Sequence, residues 1–269
     1  MLRKRLITAA ILVAVFIAGL FLLPSEWFVL LLLAVGAMSA VEAARIFDFR
    51  TSMGQAIFVV IFLVISVALY QIRDHRLDFL IHVMAVTTWL VILWLLITYP
   101  RYQEHRYLYA TLTVLSLSFA IFAISDLMIT VDNGSLWTLG MFAVIWIADI
   151  AAFFTGRRFG TRKLAPRISP GKTIEGLKGS LFAILAFGLV SGTLVWEESY
   201  GRILLWVLVC LSVAAFSVIG DLFFSMNKRI VGVKDSGTLL PGHGGVLDRI
   251  DSTVSAAPVY ALCVTALFV

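Results

Sequence analysis

Between Ser225 and Asp251 the chain gathers four basic residues, three aspartates, a histidine and five glycines, with long apolar runs on either side. Long irregular loops are functional or disordered, and seldom bland connectors. The residue types here are those that hold a hard cation and a polyphosphate. Asp221, Ser225 and Lys228 lie at i, i+4 and i+7, which puts them on one face of a helix. Asp248 and Asp251, three apart where the chain enters its last helix, also share a face. Three carboxylates and a hydroxyl around a glycine-rich turn suit an oxygen-seeking ion such as Mg²⁺. A carboxylate inside a membrane is expensive and usually functional, which favours ligation by Asp221 and Asp248. Asp251 has an equally good reading as an acid at a helix start, where the macrodipole favours it. Pro241-Gly242-His243-Gly244-Gly245 is a turn whose backbone N–H groups can approach phosphate closely.

A second polar loop, 157–178, carries seven basic residues. Its Gly171-Lys172-Thr173 has the ending of a Walker phosphate loop, but the first glycine of that motif would be Pro166 and no strand is expected before it. The expected arrangement is Ser169 as a helix N-cap with Pro170 at the first helical position. That would aim free N–H groups and Lys172 at an anion. Arg157, Arg158, Arg162 and Lys163 are accounted for by topology and by anionic headgroups. Asp149 precedes this loop by two turns and is placed to reach the same site from below. Glu42 and Asp126 read as structural acids, Glu42 paired with Arg45 and Asp126 near an outer end, while His82 reads as interfacial.

These residues need helices to hold them. The chain of 269 residues is 61% hydrophobic and 14% charged, with a mean hydropathy of +1.01. A soluble domain would carry about 25% charge. Several runs reach the roughly 18 apolar residues that a bilayer crossing requires. The expected fold is all-α: one polytopic integral membrane domain over 1–269, with about nine transmembrane helices near 6–23, 27–47, 55–72, 79–99, 108–130, 136–154, 179–196, 203–224 and 253–268. Arg3-Lys4-Arg5 before Leu6–Leu23 has the look of a signal peptide. The long apolar run and the poor cleavage site at Leu22-Leu23-Pro24-Ser25-Glu26 make it a retained first helix instead.

With the N-terminus in the cytoplasm, eighteen of the 21 Lys and Arg residues fall on that side, and only Arg73, Arg76 and Arg202 on the other. Loops 157–178 and 225–252 therefore share the cytoplasmic face, where nucleotides and Mg²⁺ are available. The net charge of +5 follows from this bias and is no nucleic-acid signature. Cys210 and Cys263 lie in apolar runs and read as small buried hydrophobes.

Ser225-x-x-Lys228-Arg229, Lys234-Asp235-x-Gly237 and Pro241-x-His243-Gly244-Gly245-x-x-Asp248-Arg249-x-Asp251 together resemble the signature of the phosphatidate cytidylyltransferases, also called CDP-diacylglycerol synthases. The resemblance extends to Trp146-x-x-Asp149, Leu164-Ala165-Pro166 and Ser169-Pro170-Gly171-Lys172-Thr173-x-Glu175-Gly176, and so to nearly the whole chain. Asn227 departs from it, standing where an apolar residue is expected. The resemblance implies that CTP and phosphatidate give CDP-diacylglycerol and pyrophosphate, in a bacterial-type inner membrane, with Mg²⁺ required. It implies metal binding by Asp221 and Asp248, with a monovalent cation such as K⁺ nearby; Asp251 and Asp149 are the further candidate ligands. Catalysis would rest on Asp221, Asp248, Lys172, Lys228 and Arg249. Substrate binding would involve Ser169, Lys172, Ser225, Arg229, Lys234, His243, Gly244 and Gly245. Membrane lipids are expected partners, nucleic acid is not, and a homodimer is left open.

Two other classes compete. A CTP-dependent polyprenol kinase would need a base for a lipid hydroxyl, and Asp251 or Asp235 could be nominated. An ion-coupled transporter would use Glu42, Asp126 and Asp149 as a relay, but such sites lie at the midplane of repeated halves. Here the polar residues concentrate at one face and no repeat is found.

Overall fold

The computed structural model describes residues 2–49, 51–101, 105–195, 199–239 and 244–268. Its helices are α1 (Leu2–Leu22), α2 (Ser25–Ile46), α3 (Ser52–Gln71), α4 (His75–Ile97), α5 (Arg106–Thr130), α6 (Gly134–Phe159), α7 (Ile174–Val195), α8 (Tyr200–Ile230) and α9 (Leu247–Leu267). Two short strands, β1 (Lys163–Ala165) and β2 (Ser169–Thr173), lie between α6 and α7. Eight helices, α2 to α9, are long and apolar enough to cross a membrane, and the described side chains of α1 continue the pattern over Val13–Leu22. The chain is an all-α integral membrane protein, as its apolar runs led us to expect.

Helix α5 is the buried axis, enclosed along most of its length, with α2, α3, α4, α6 and α9 against it. Helices α6, α7, α8 and α9 pack in succession on one side. At the α8–α9 crossing Gly220 is obligatory: a Cβ there would run into the Ser255 hydroxyl and the Asp251 carbonyl. Its neighbour Asp221 is thereby carried up against the first turns of α9.

The largest departures from the expected boundaries are at the site. Helices α6 and α8 continue to Phe159 and Ile230, past the expected ends at 154 and 224, while α7 and α9 begin at Ile174 and Leu247 instead of 179 and 253. The polar residues thus extend the helices beyond the apolar spans that sequence reading counts. The loop after α6 also holds an antiparallel hairpin, pairing Lys163 with Thr173 and Ala165 with Ser169. Ser169 is therefore not a helix N-cap. Thr173 is, accepting a hydrogen bond from the Gly176 N–H at 3.1 Å. Pro166 and Pro170 explain the shift: proline disfavours helical backbone in the residue before it, and Ala165 and Ser169 both lie in strands.

Candidate functional site

Four segments meet at one end of the bundle: the end of α6, the hairpin, the end of α8 and the start of α9. Helix α6 brings Asp149, β2 brings Ser169 and Lys172, α8 brings Asp221, Ser225, Lys228 and Arg229, and α9 brings Asp248, Arg249 and Asp251. Lys172 Nζ meets Asp221 Oδ2 at 2.7 Å, both side chains about a quarter exposed. Lys228 Nζ meets Asp248 Oδ1 at 2.5 Å in a far more enclosed pair, 10% and 7% exposed. The Ser225 hydroxyl donates to Asp221 Oδ1 at 3.1 Å, one helical turn back.

Asp248 is held from three directions. Besides Lys228, its Oδ2 accepts from the backbone N–H of Ser236 at 2.9 Å and of Gly245 at 3.0 Å. The Gly245 N–H is thus occupied within the protein and is not free for phosphate as the glycine turn led us to expect. Gly244 takes a left-handed φ of 82°, and a Cβ there would fall 2.9 Å from Asp248 Oδ2. His243, with Pro241 and Gly242, lies outside the described residues.

Two cavities open here. One, of about 350 Å³, is polar: Asp149, Asp221, Lys228, Asp235, Asp248 and Arg249 line it, with Asp251 and the face of α6 at Trp146. The other, of about 500 Å³, lies between α6, α7 and the hairpin and is mostly apolar, walled by residues such as Ala152, Phe153, Leu164 and Leu177. Ser169 and Lys172 stand at its polar edge. Asp149 and Asp221 line both.

Several residues named from sequence stand elsewhere. The Arg229 guanidinium donates to the carbonyls of Ile168 and Val233, each at 3.2 Å, tying the end of α8 to the hairpin. Lys234 is exposed and lines neither cavity. Asp149, Asp221, Asp248 and Asp251 share a cavity, yet among the described residues no three His, Cys, Asp or Glu side chains converge closely enough to cage a metal ion by themselves.

Sequence reasoning missed two features. Glu42 does not turn to Arg45. It is buried, at 4% exposure, and accepts from the Ser236 hydroxyl and the N–H groups of Val246 and Leu247. Glu175, unremarked beyond its motif, accepts from the backbone N–H of Thr161 and Arg162, the Thr161 hydroxyl and Arg162 Nε, all at 3.1 Å, and so clamps the entry to the hairpin. The local cue for Glu175 was its place in the first turn of α7. For Glu42 no local cue existed, because its partners lie about two hundred residues away. His82, read as interfacial, is buried against the protein and bonded to Asp126 at 2.8 Å, a partner the sequence did not suggest.

Polar and apolar cavities thus meet at a charged wall within a membrane protein, and similarity to known proteins supplies the class. A model of the cytidylyltransferase family matches residues 3–267. The chain is 39% identical over 268 residues to a phosphatidate cytidylyltransferase of Pseudomonas aeruginosa, spanning 97% of this chain and 96% of that one. It is 33% identical over 286 residues to the Haemophilus influenzae protein of the same name, spanning 97% and 98%. A stretch of 122 residues is 48% identical to a Brucella suis protein, also so named, and covers 45% of this chain and 44% of that one. The chain belongs to the cytidylyltransferase family.

Proposed function

We propose that the protein transfers the cytidylyl group of CTP to phosphatidate, releasing CDP-diacylglycerol and pyrophosphate, on the cytoplasmic face of a bacterial inner membrane. The observation that carries this reading is the wall shared by the two cavities at Asp149 and Asp221. A triphosphate suits the polar side, and the glycerol backbone and acyl chains of a membrane lipid suit the apolar side. The lipid phosphate then reaches the α-phosphorus across that wall, its acyl chains still in the bilayer. The excess of Lys and Arg in the loops at this end supports the cytoplasmic placement.

The chemistry asks little of a base. The attacking group is a phosphate monoester, already anionic at neutral pH. Its oxygen forms a bond to the α-phosphorus while the bond from that phosphorus to the bridging oxygen of the β-phosphate breaks, and pyrophosphate leaves with that electron pair. The obstacle is charge: two anions must meet, and more charge collects on the leaving group. Lys172, Lys228 and Arg249 supply fixed countercharge around the polar cavity and its edge. Asp221 and Asp248 hold Lys172 and Lys228 in place.

The same carboxylates fit Mg²⁺. That ion is usually held by one or two carboxylates and completed by substrate phosphates, so a protein cage of three ligands is not needed. Asp221 and Asp248 would hold it, with Asp149 and Asp251 beside them. When bound it would supply neutralisation of the triphosphate and of the departing pyrophosphate. Lys172, Lys228 and Arg249 together with one divalent ion already balance these four carboxylates, so a monovalent cation such as K⁺ rests on the family resemblance alone.

The test is pyrophosphate release by purified protein in detergent with Mg²⁺, CTP and phosphatidate, alongside Asp248→Asn. Lipid- and Mg²⁺-dependent release that the substitution abolishes is the expected result. Release that survives in Asp248→Asn removes the site as drawn. CDP formed from a polyprenol, with no release on phosphatidate, replaces the reaction with a kinase.

A further inference from the structure

Helix α9 begins without a cap of its own. The residue at its N-cap position is Val246, whose own side chain has no acceptor and makes no cap hydrogen bond. A helix start leaves its first N–H groups without intrahelical partners. Here Glu42, on α2, takes two of them. Its Oε1 accepts from the Val246 N–H at 3.0 Å and its Oε2 from the Leu247 N–H at 2.9 Å. Oε2 also accepts from the Ser236 hydroxyl at 2.8 Å. Ser236, within the connection from α8, and Val246 and Leu247, where α9 starts, are therefore tied to one buried carboxylate.

That loop is also what orients Asp248. Ser236, whose hydroxyl is on Glu42, gives its backbone N–H to Asp248 Oδ2; Gly245, just before the two N–H groups on Glu42, does the same. The fit leaves no slack. A Cβ on Gly237 would lie 2.6 Å from Glu42 Oε1, and one on Gly245 would run into Ser236 Oγ and Glu42 Oε2. Burying a carboxylate is expensive, and an ordinary N-cap on α9 would satisfy one of these N–H groups far more cheaply. What Glu42 adds is a link: one rigid group joins Ser236 to the start of α9 and, through Ser236 and Gly245, fixes the carboxylate that faces Lys228.

We propose that Glu42 is a positioning residue for the nucleotide side of the site, setting the Asp248 carboxylate from α2 without touching substrate. The importance of Asp248 in this statement rests on the reaction proposed above. Glu42→Gln preserves shape but turns one accepting oxygen into an NH₂ that cannot receive an N–H. The expected kinetic result is a fall in kcat/KM for CTP of about 10- to 100-fold, the usual cost of losing a group that orients a ligand-bearing side chain. The Mg²⁺ concentration giving half-maximal rate should rise with it, whereas a merely structural role would lower the yield of folded protein and leave both constants unchanged per active molecule.

Hydrogen–deuterium exchange of the unliganded protein supplies the readout independent of turnover. Peptides covering 232–248 should exchange at least several-fold faster in Glu42→Gln, with α5 still protected. Unchanged exchange in that segment, or unchanged kinetic constants, overturns the proposal. Should Glu42→Gln fail to fold, Ser236→Ala removes one of the ties and should show a smaller change of the same kind at 232–248; no change there is equally decisive against it. Wild-type protein inactive on CTP and phosphatidate would sink the proposed reaction, while the exchange pattern would still decide whether Glu42 holds the loop and Asp248.

Discussion

Lys172 on the hairpin and Asp221 on α8 form an ion pair of 2.7 Å at the boundary between the polar and apolar cavities. Both are about a quarter exposed, so the pair adds little to stability. Its value is positional. Asp221 keeps the ammonium at the boundary, on the apolar cavity's polar edge, where an anionic lipid phosphate and a triphosphate would approach one another.

Lys172→Met keeps most of the side-chain stem and removes the charge. The rate of cytidylyl transfer should fall about 100-fold, as when one fixed donor to developing charge is lost. The melting temperature in detergent should move little, and Lys172→Arg should recover part of the rate. Initial rates of pyrophosphate release check both variants; a Lys172→Met enzyme within twofold of wild type would remove Lys172 from the mechanism.

Much of this site was legible because membrane segments penalise charge. Asp149 and Asp221 stand out against apolar surroundings, Asp248 belongs to a conspicuously polar loop, and helical spacing alone puts Asp221 beside Ser225 and Lys228. The hairpin was not legible: strands of three and five residues are too short for a period-2 pattern, and Ser169-Pro170 imitates a helix start. The true cap, Thr173, was visible only as a threonine three residues before Gly176. Glu42 was misread, and the partner of His82 missed, for another reason. Each is defined by a partner from a distant helix, and neighbours in sequence say nothing about such contacts.

At Gly220 helices α8 and α9 are in close contact beside the site. Gly220→Ala places a methyl group against the Ser255 hydroxyl and the Asp251 carbonyl, and only the first of these can rotate away. The helices must separate, at a cost of about 1–3 kcal/mol. Because Asp221 follows directly and Asp251 supplies the obstructing carbonyl, turnover should fall by more than the loss of folded protein explains. Specific activity normalised to the folded fraction is the measurement, and an unchanged value would mean that this crossing does not set the carboxylates.

Glu175 organises the hairpin from outside the cavities. Its carboxylate gathers four donors from Thr161 and Arg162, and Glu175→Gln replaces one accepting oxygen by a donor facing donors. The expected phenotype is a loosened 157–168 segment: faster cleavage there by trypsin, which finds Arg157, Arg158, Arg162, Lys163 and Arg167 within it. Activity should fall modestly, through less regular presentation of Lys172. Limited proteolysis followed by mass spectrometry locates the cut; cleavage at wild-type rate would show the clamp to be dispensable.

His82 and Asp126 offer the contrasting case, buried charge-bearing groups remote from the chemistry. Asp126 lies near the end of α5 away from Arg106, and His82 lies about three turns before the Leu93–Ile97 end of α4 that approaches the hairpin. Both are about 1% exposed, and Thr130 bonds Asp126 as well, at 2.9 Å from its hydroxyl to Oδ1. His82→Ala leaves buried Asp126 without its imidazole partner, a loss of about 1–3 kcal/mol for a buried group deprived of a hydrogen bond. The melting temperature should drop, while kcat and both KM values of the protein that remains folded should match wild type. The double variant His82→Ala/Asp126→Ala should be less destabilised than the two single losses added together, since residues in direct contact are not additive. Thermal unfolding followed by tryptophan fluorescence, paired with the pyrophosphate assay, separates the outcomes. A selective fall in kcat at normal stability would mean that this distant pair is coupled to the site after all.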